Sequence, residues 1–194
     1  MLLSAMSVLM SLIAANAQDS VLSEGFEGGN VPPSGWITRS CSDAANNKYK
    51  WEQVTYGSDP LKYRTGYTQG GSKAMMVSSG KATKTKPAPD SWLITPQVTV
   101  TEGDYLSFML AYAPVYNDNP VVPEDKRVKF AVLVSTTGTE ASDFTETLME
   151  FAPYGETDWR KKVLNLGRFA GKKVYIAFRE YGNCTLGAIT LNRT

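Results

Sequence analysis

The sequence predicts an all-β fold, an antiparallel β-sandwich with almost no helix. Short runs of residues alternate between apolar and polar, which is the period of a strand with one face in a core. Clusters of Gly, Pro, Asn and Asp separate these runs at regular intervals. No stretch carries the spacing of a long amphipathic helix. Regularly spaced strands with little helix favour two packed sheets.

Two runs show the alternation most clearly. Every second residue in each is large and apolar, so one face of each strand is expected to lie in the core. The core-facing positions are Val128, Phe130, Val132 and Val134 in the first run, and Val174, Ile176 and Phe178 in the second.

Nine further runs are predicted as strands because they are rich in β-branched and aromatic residues and lie between turn signals. Thr101–Asp104 is the turn between two of them, with Gly103 supplying the positive φ. A single helical turn is expected at Glu140–Phe144, capped by Thr139 or Ser142. The nine runs are Val21–Phe26, Lys50–Val54, Lys73–Val77, Trp92–Thr95, Gln97–Val100, Tyr105–Tyr112, Thr147–Phe151, Val163–Leu166 and Leu186–Leu191.

The first 17 residues are uncharged and apolar and end in Ala15-Asn16-Ala17, the A-x-A pattern of a signal-peptide cleavage site. We therefore expect residues 1–17 to be a signal peptide and residues 18–194 to form one domain. No later run approaches transmembrane length, so no transmembrane anchor is expected in the mature chain. The formal net charge of +1 gives no reason to expect nucleic acid as a partner.

The chain contains no histidine and only two cysteines. Ser-His-Asp and Cys-His catalysis need an imidazole base, and zinc sites need histidines or four cysteines. These classes are excluded, whereas carboxylate-pair chemistry and oxygen-ligated metals stay open. In an exported protein Cys41 and Cys184 can form a disulfide, or each can be a small buried hydrophobe.

Five blocks of the sequence, in order, resemble the cleaved-adhesin family, the haemagglutinin-type adhesin modules of secreted Bacteroidetes proteins. Together they span nearly all of the mature chain, which makes the resemblance strong for the fold and weaker for the ligand. The blocks are EGFEGGNVPPSGW (Glu24–Trp36), KWEQV with GYTQGGSKAMMVSSG, DSWLITP, VLVSTTGTEASDF (Val132–Phe144) and WRKKVLNLGRFAGKKVYIAFREYGNCT (Trp159–Thr185).

The resemblance implies a jelly roll of the galactose-binding-like or MAM-like kind, secreted or held at the cell surface. It implies a non-catalytic module that binds an extracellular glycan or protein, in which opening and closing blocks meet in space. Acidic residues near the first strand help to ligate a structural calcium in such modules, which makes Glu24 and Glu27 candidate ligands. The family's closing strand usually carries an Asp pair, whereas this chain ends in GAITLNRT, so its C-terminus is expected to be truncated or divergent.

The segment after Tyr112 is the sequence's candidate for ligand contact, because it is a long loop between two strands. Its tyrosine rings can stack on a sugar, and its amide and carboxylate groups can bind hydroxyls. We expect the four tryptophans to pack in the core instead. Two alternatives stay open, a carboxylate-dependent glycan-cleaving enzyme and a structural spacer domain. The candidate contact residues are Tyr112, Tyr116, Asn117, Asp118 and Asn119.

Overall fold

The computed structural model describes residues 21–40, 49–55, 71–79, 88–114, 127–152, 159–182 and 187–192. These residues form eleven β-strands and two short 3₁₀ turns, at Ala141–Asp143 and Gly167–Phe169. The strands are β1 (Ile37–Ser40), β2 (Glu52–Thr55), β3 (Lys73–Ser79), β4 (Asp90–Ile94), β5 (Val98–Thr99), β6 (Tyr105–Pro114), β7 (Lys129–Ser135), β8 (Glu146–Phe151), β9 (Arg160–Asn165), β10 (Lys173–Tyr181) and β11 (Gly187–Asn192).

The strands form two antiparallel sheets that pack face to face. Sheet A has the order β1-β4-β10-β7-β8, with β5 pairing the start of β10. Sheet B has the order β2-β3-β11-β6-β9. From β3 onward the chain crosses repeatedly from one sheet to the other, as in a jelly roll. The predicted all-β sandwich is confirmed.

The core between the sheets is formed by the strand faces that the alternating apolar pattern predicts to be buried. Phe130 of sheet A lies between Phe108 of sheet B and Phe178 of sheet A, with ring centroids 6.4 Å from each. Phe108 and Phe178 also meet edge to face at 5.2 Å. Trp51 and Met75 close the core from the β2–β3 side, and both are buried.

Sheet A is also buried on its outer side. The segment from residue 136 to residue 145 leaves β7 and lies over this face, where Phe144 packs against Trp92 with ring centroids 5.5 Å apart. Within this segment, Glu140 accepts two hydrogen bonds from the Arg39 guanidinium, at 2.7 and 2.8 Å. The apolar residues on the second faces of β4, β7 and β10 are thereby shielded from water.

Two local expectations are wrong. Val21–Phe26 is not a strand: Glu24 accepts a hydrogen bond from the Phe26 N–H, and Gln53 donates one to the Phe26 carbonyl. The 3₁₀ turn at Ala141–Asp143 has Glu140 at its N-cap rather than Thr139 or Ser142, and the Asp143 carboxylate accepts from the Glu140 N–H at 2.8 Å. In both places a side chain satisfies backbone groups that a ladder or hydroxyl cap was expected to satisfy.

Candidate binding surface

The structure places the predicted ligand residues in different environments. Tyr112 lies in β6 with its side chain buried in the core between the sheets, so its ring faces other protein side chains. Tyr116, Asn117, Asp118 and Asn119 lie outside the described residues, as do Cys41, Cys184 and residues 1–17.

Three of the tryptophans confirm the prediction of core packing. Trp36 and Trp51 belong to the core between the sheets, and Trp92 belongs to the buried cluster under Phe144. Trp159 is half-buried and packs against an apolar cluster on the outer side of sheet B. The indole rings are thus taken up by packing.

Glu24 and Glu27 use their carboxylates to hold the polypeptide near the start of the domain. Glu24 accepts from the Phe26 N–H at 2.5 Å. Glu27 accepts from the Ser72 N–H at 2.9 Å, the Ser72 hydroxyl at 2.7 Å and the Lys73 N–H at 3.0 Å. The Ser72 hydroxyl and these two N–H groups hold the pKa of Glu27 below its usual 4.5.

A calcium ion needs six to eight oxygen ligands, and these two hydrogen-bonded carboxylates do not supply such a set. Within the described ranges, no three His, Cys, Asp or Glu side chains come together as a metal site would require. Calcium binding at Glu24 and Glu27 therefore stays a prediction.

The opening and closing blocks meet, as the sequence analysis expects. Phe26 packs in the same core cluster as Phe178 of β10 and Leu191 of β11. Next to it lies a cavity of about 350 Å³, lined by Val21 and Leu22 together with residues of both sheets. The lining mixes apolar and polar residues, and it reaches Tyr105 and Ser107 at the start of β6.

The exposed end of sheet B offers a different kind of surface. Phe108 and Leu110 of β6 point into the core, so the residues between them point outward. Register places them beside the outward residues of β9 in three direct cross-strand pairs. We call this surface the β6–β9 face; it consists of the pairs Tyr105–Asn165, Ser107–Val163 and Met109–Lys161.

Two large apolar side chains lie exposed and side by side on the β6–β9 face. Tyr105 is 61% exposed and Val163 is 56% exposed, and they occupy diagonal positions across the two strands. Farther along β6 the same side of the sheet is covered, since Ala111 is buried. The exposed patch is therefore confined to the end where β6 begins and β9 ends.

The β6–β9 face is fixed by its surroundings. Gly103 takes a φ of 86° in the turn before Tyr105, and the Asp104 carboxylate accepts from the Thr101 N–H at 2.6 Å. The Asp104 carbonyl accepts from the Leu166 N–H at 3.0 Å, which ties the start of β6 to the end of β9. The Asn165 side chain accepts from the Gly167 N–H at 2.7 Å. A ligand would meet a surface that is already ordered.

The outer face of sheet A carries a second cluster of aromatic and charged side chains. The Arg179 guanidinium lies 4.6 Å from the Trp92 ring and 4.4 Å from the Tyr181 ring, and Asp90 binds it with two hydrogen bonds at 2.7 and 2.8 Å. Burial first, and then a hydrogen bond to Glu150, raise the pKa of Tyr181 above its usual range. Asp90 neutralises the guanidinium, which also contacts both rings, so we interpret these side chains as a stabilising cluster.

The exposure of Tyr105 was not predicted from the sequence. Once Phe108 is known to face the core, alternation places Tyr105 on the opposite face. The sequence did not reveal which outer face would remain exposed.

Fold and surface together define an antiparallel β-sandwich domain with an exposed sheet-end patch and tryptophans that are mainly buried. The model of the family described as the cleaved adhesin domain matches residues 19–193. The chain belongs to this family.

Relatives and solved structures agree with this assignment. The chain is 30% identical to Hemagglutinin A of Porphyromonas gingivalis strain W83 over 188 residues, which cover 89% of the chain and 8% of that protein. It is 28% identical to Gingipain R1 of the same species, over 89% of the chain and 10% of the relative. The crystal structure of the K1 cleaved adhesin domain of Lys-gingipain from P. gingivalis W83 has a TM-score of 0.64 and 25% identity, covering 90% of this chain and 95% of that one.

The chain therefore corresponds to a small part of its curated relatives and to nearly the whole of a single solved adhesin domain. Among the described residues, no helix is long and apolar enough to cross a membrane.

Proposed function

We propose that this chain is an exported, non-catalytic adhesin module that binds an extracellular glycan on the β6–β9 face. The observation that carries the proposal is the exposure of Tyr105 beside Val163 on two paired, well-anchored strands. An exposed aromatic ring on a rigid strand is the group on which the apolar face of a sugar stacks.

The rest of the face supplies what the edges of a sugar need. The Asn165 side chain lies opposite Tyr105, and its NH₂ group can donate to ring hydroxyls while its oxygen accepts from the Gly167 N–H. Because tyrosine loses little rotamer entropy on contact, its ring contributes binding area at low cost. The mixture of one ring, one aliphatic side chain and several polar groups fits an amphipathic ligand better than a purely apolar one.

The family relationship supports an adhesive role. The family is described as an adhesin domain and one relative is named Hemagglutinin A, names that imply attachment to cell surfaces. Attachment of this kind works outside the cell, which agrees with the signal peptide expected at residues 1–17.

The ion pairs and hydrogen bonds of the carboxylates support a binding role rather than glycan cleavage. A glycan-cleaving pair needs two carboxyl groups on either side of the substrate bond. In the described parts of the chain, Asp90 is held by Arg179, Glu140 by Arg39, and Glu27 by backbone N–H groups. Each of these groups has a structural partner of its own.

A glycan array with purified mature protein tests the proposal, using wild type, Tyr105→Ala, Tyr105→Phe and Val163→Ser. Tyr105→Ala should lose about tenfold or more in affinity, because a stacking ring contributes on the order of 1–2 kcal/mol. Tyr105→Phe should keep most of the binding, since it keeps the ring. Val163→Ser should weaken binding by a smaller factor.

The matched control is Val31→Ser, which makes the same substitution at a residue that is 46% exposed and lies outside the β6–β9 face. It should bind as wild type does, and all four variants should keep the wild-type circular dichroism spectrum. Unchanged glycan binding by folded Tyr105→Ala would overturn the proposal. So would a protein that binds no glycan and recognises only extracellular proteins.

A further inference from the structure

We infer that the glycan is acidic, and that its carboxylate or sulfate group meets Lys161 at the far end of the β6–β9 face from Tyr105. This inference rests on the proposed function and names the class of ligand. The observation behind the inference is the distribution of charge around β9. A general adhesive role would not require this distribution.

Positive charge is concentrated in the β9 region of the sequence. The fourteen residues from Arg160 to Lys173 contain six lysines or arginines and no aspartate or glutamate. The whole chain, by comparison, has 20 basic and 19 acidic residues. Three of these residues, Arg160, Lys161 and Lys162, open β9, so they place positive charge on an edge strand of sheet B.

Lys161 is available to a ligand, because no carboxylate among the described residues pairs with it. Nearby cations have partners: Lys162 lies 5.1 Å from the centre of the Phe151 ring, and Arg168 lies 3.4 Å from the Glu146 carboxylate. Arg160, next to Lys161, is exposed and likewise has no ion-pair partner within the described residues. Within the described part of the chain, the Lys161 end of the face therefore carries positive charge that no carboxylate pairs with.

Among the described residues, two acidic side chains lie near the opposite end. Asp104 precedes Tyr105 directly, and Glu102 is exposed in the turn before it. An acidic group would be repelled there and attracted at Lys161. Tyr105 and the partner of Lys161, Met109, are four residues apart on β6, or about 13 Å at the rise of a strand. A bound oligosaccharide would extend over more than one sugar unit, with its ring on Tyr105 and its acid at Lys161.

A lysine on an edge strand can have another role, because its charge discourages pairing with the sheet edge of a second molecule. β9 is an edge strand of sheet B, so this explanation applies to Lys161 as well. The two explanations differ in what a neutral side chain would change. Loss of edge protection promotes self-association, whereas loss of a ligand contact weakens binding.

The test measures the affinity of wild type and Lys161→Gln for array oligosaccharides in three groups: neutral, uronate- or sialate-containing, and sulfated. Wild type should prefer the acidic groups, and its affinity for them should fall about tenfold between roughly 0.05 and 0.5 M sodium chloride. Lys161→Gln should lose about tenfold in affinity for acidic probes, as a charge-assisted hydrogen bond is removed, and change little toward neutral ones.

Lys50→Gln is the matched control, because it removes the same charge at an exposed lysine next to β2, the other edge of sheet B. It should bind acidic probes as wild type does. Light scattering on both variants reports self-association.

The outcomes separate this inference from the function on which it rests. Binding that needs Tyr105 but ignores probe charge and salt overturns the acidic ligand and leaves the glycan-binding role in place. Wild-type affinity in Lys161→Gln together with new self-association also overturns it, in favour of edge protection. The absence of glycan binding overturns both.

Discussion

Single polar side chains hold together parts of this domain that lie far apart in sequence. Glu27 is the clearest example, because its carboxylate accepts three hydrogen bonds from Ser72 and Lys73 at the start of β3. These bonds favour the ionised form, which is why the pKa of Glu27 lies below its usual 4.5. The opening segment is thereby attached to sheet B without pairing as a strand.

Glu27→Gln should lower the stability of the domain at neutral pH. A carboxyl group whose pKa is lower in the folded state stabilises the fold above its unfolded pKa, and this contribution disappears as pH falls through the folded value. The stability difference between wild type and variant should therefore be present at neutral pH and shrink as the pH falls below 4.5. Thermal melts across this range measure it.

Glu102→Gln removes the same charge from an exposed turn residue without a hydrogen-bond partner among the described residues, and it serves as the control. It should melt as wild type does at each pH. A Glu27→Gln variant that matches wild type at neutral pH would show that the three hydrogen bonds contribute nothing net.

The exposure of single residues on the proposed binding surface is the feature that the sequence predicts least well. Tyr105 and Tyr112 belong to the same run, and both are aromatic residues near its ends. Residues of both faces of this run are apolar, as in Leu106-Ser107-Phe108-Met109-Leu110, so alternation alone did not show which tyrosine would be exposed. Only the packing of the second sheet against Phe108 and Leu110 decides it.

At the scale of elements, β10 changes partners part-way along its length. Its first residues pair with β5, and its later ones pair with β4. Thr95 bridges the change: its N–H donates to the Ile176 carbonyl at 2.9 Å, and its hydroxyl accepts from the Ile176 N–H at 3.0 Å. A buried side chain thus continues the ladder where the backbone of β4 ends.

Thr95→Val should destabilise the domain by about 1–3 kcal/mol, because it leaves the Ile176 N–H buried without its acceptor while keeping the side-chain shape. Thr99→Val makes the same change at an exposed position of β5 and should shift stability by about 0.5 kcal/mol or less. Urea denaturation followed by tryptophan fluorescence gives both values. Equal stability of the two variants would contradict the bridging role of Thr95.

Sequence patterns predicted most strands, because alternation and turn chemistry are local signals. β1 escaped prediction for a physical reason: Ile37-Thr38-Arg39-Ser40 shows no core-facing alternation, and all four residues are half-buried. Its place depends on pairing with β4 and on the contact between Arg39 and Glu140, which are 101 positions apart. The strand predicted at Val21–Phe26 does not form, because side-chain hydrogen bonds rather than a neighbouring strand hold this apolar run.

At the scale of the whole molecule, the two sheets differ in how their outer sides are used. Phe144 and the segment around it cover sheet A, and the charges there are paired. Sheet B stays exposed around Tyr105 and Val163, where β6 begins and β9 ends, and Lys161 lies toward the other end of the β6–β9 face without an ion-pair partner among the described residues. This asymmetry supports the proposal that the ligand binds on sheet B and that the outer side of sheet A is mainly structural.

The central claim, that a glycan binds on the β6–β9 face, is tested most directly by nuclear magnetic resonance. Isotope-labelled mature protein would be titrated with the oligosaccharide that it binds best on the array, while backbone amide shifts are followed. The account predicts that the largest shifts occur at Tyr105, Ser107, Val163 and Asn165, with smaller ones at Lys161. Shifts concentrated on the outer face of sheet A, or in the segment after Tyr112, with none on the β6–β9 face, would contradict it.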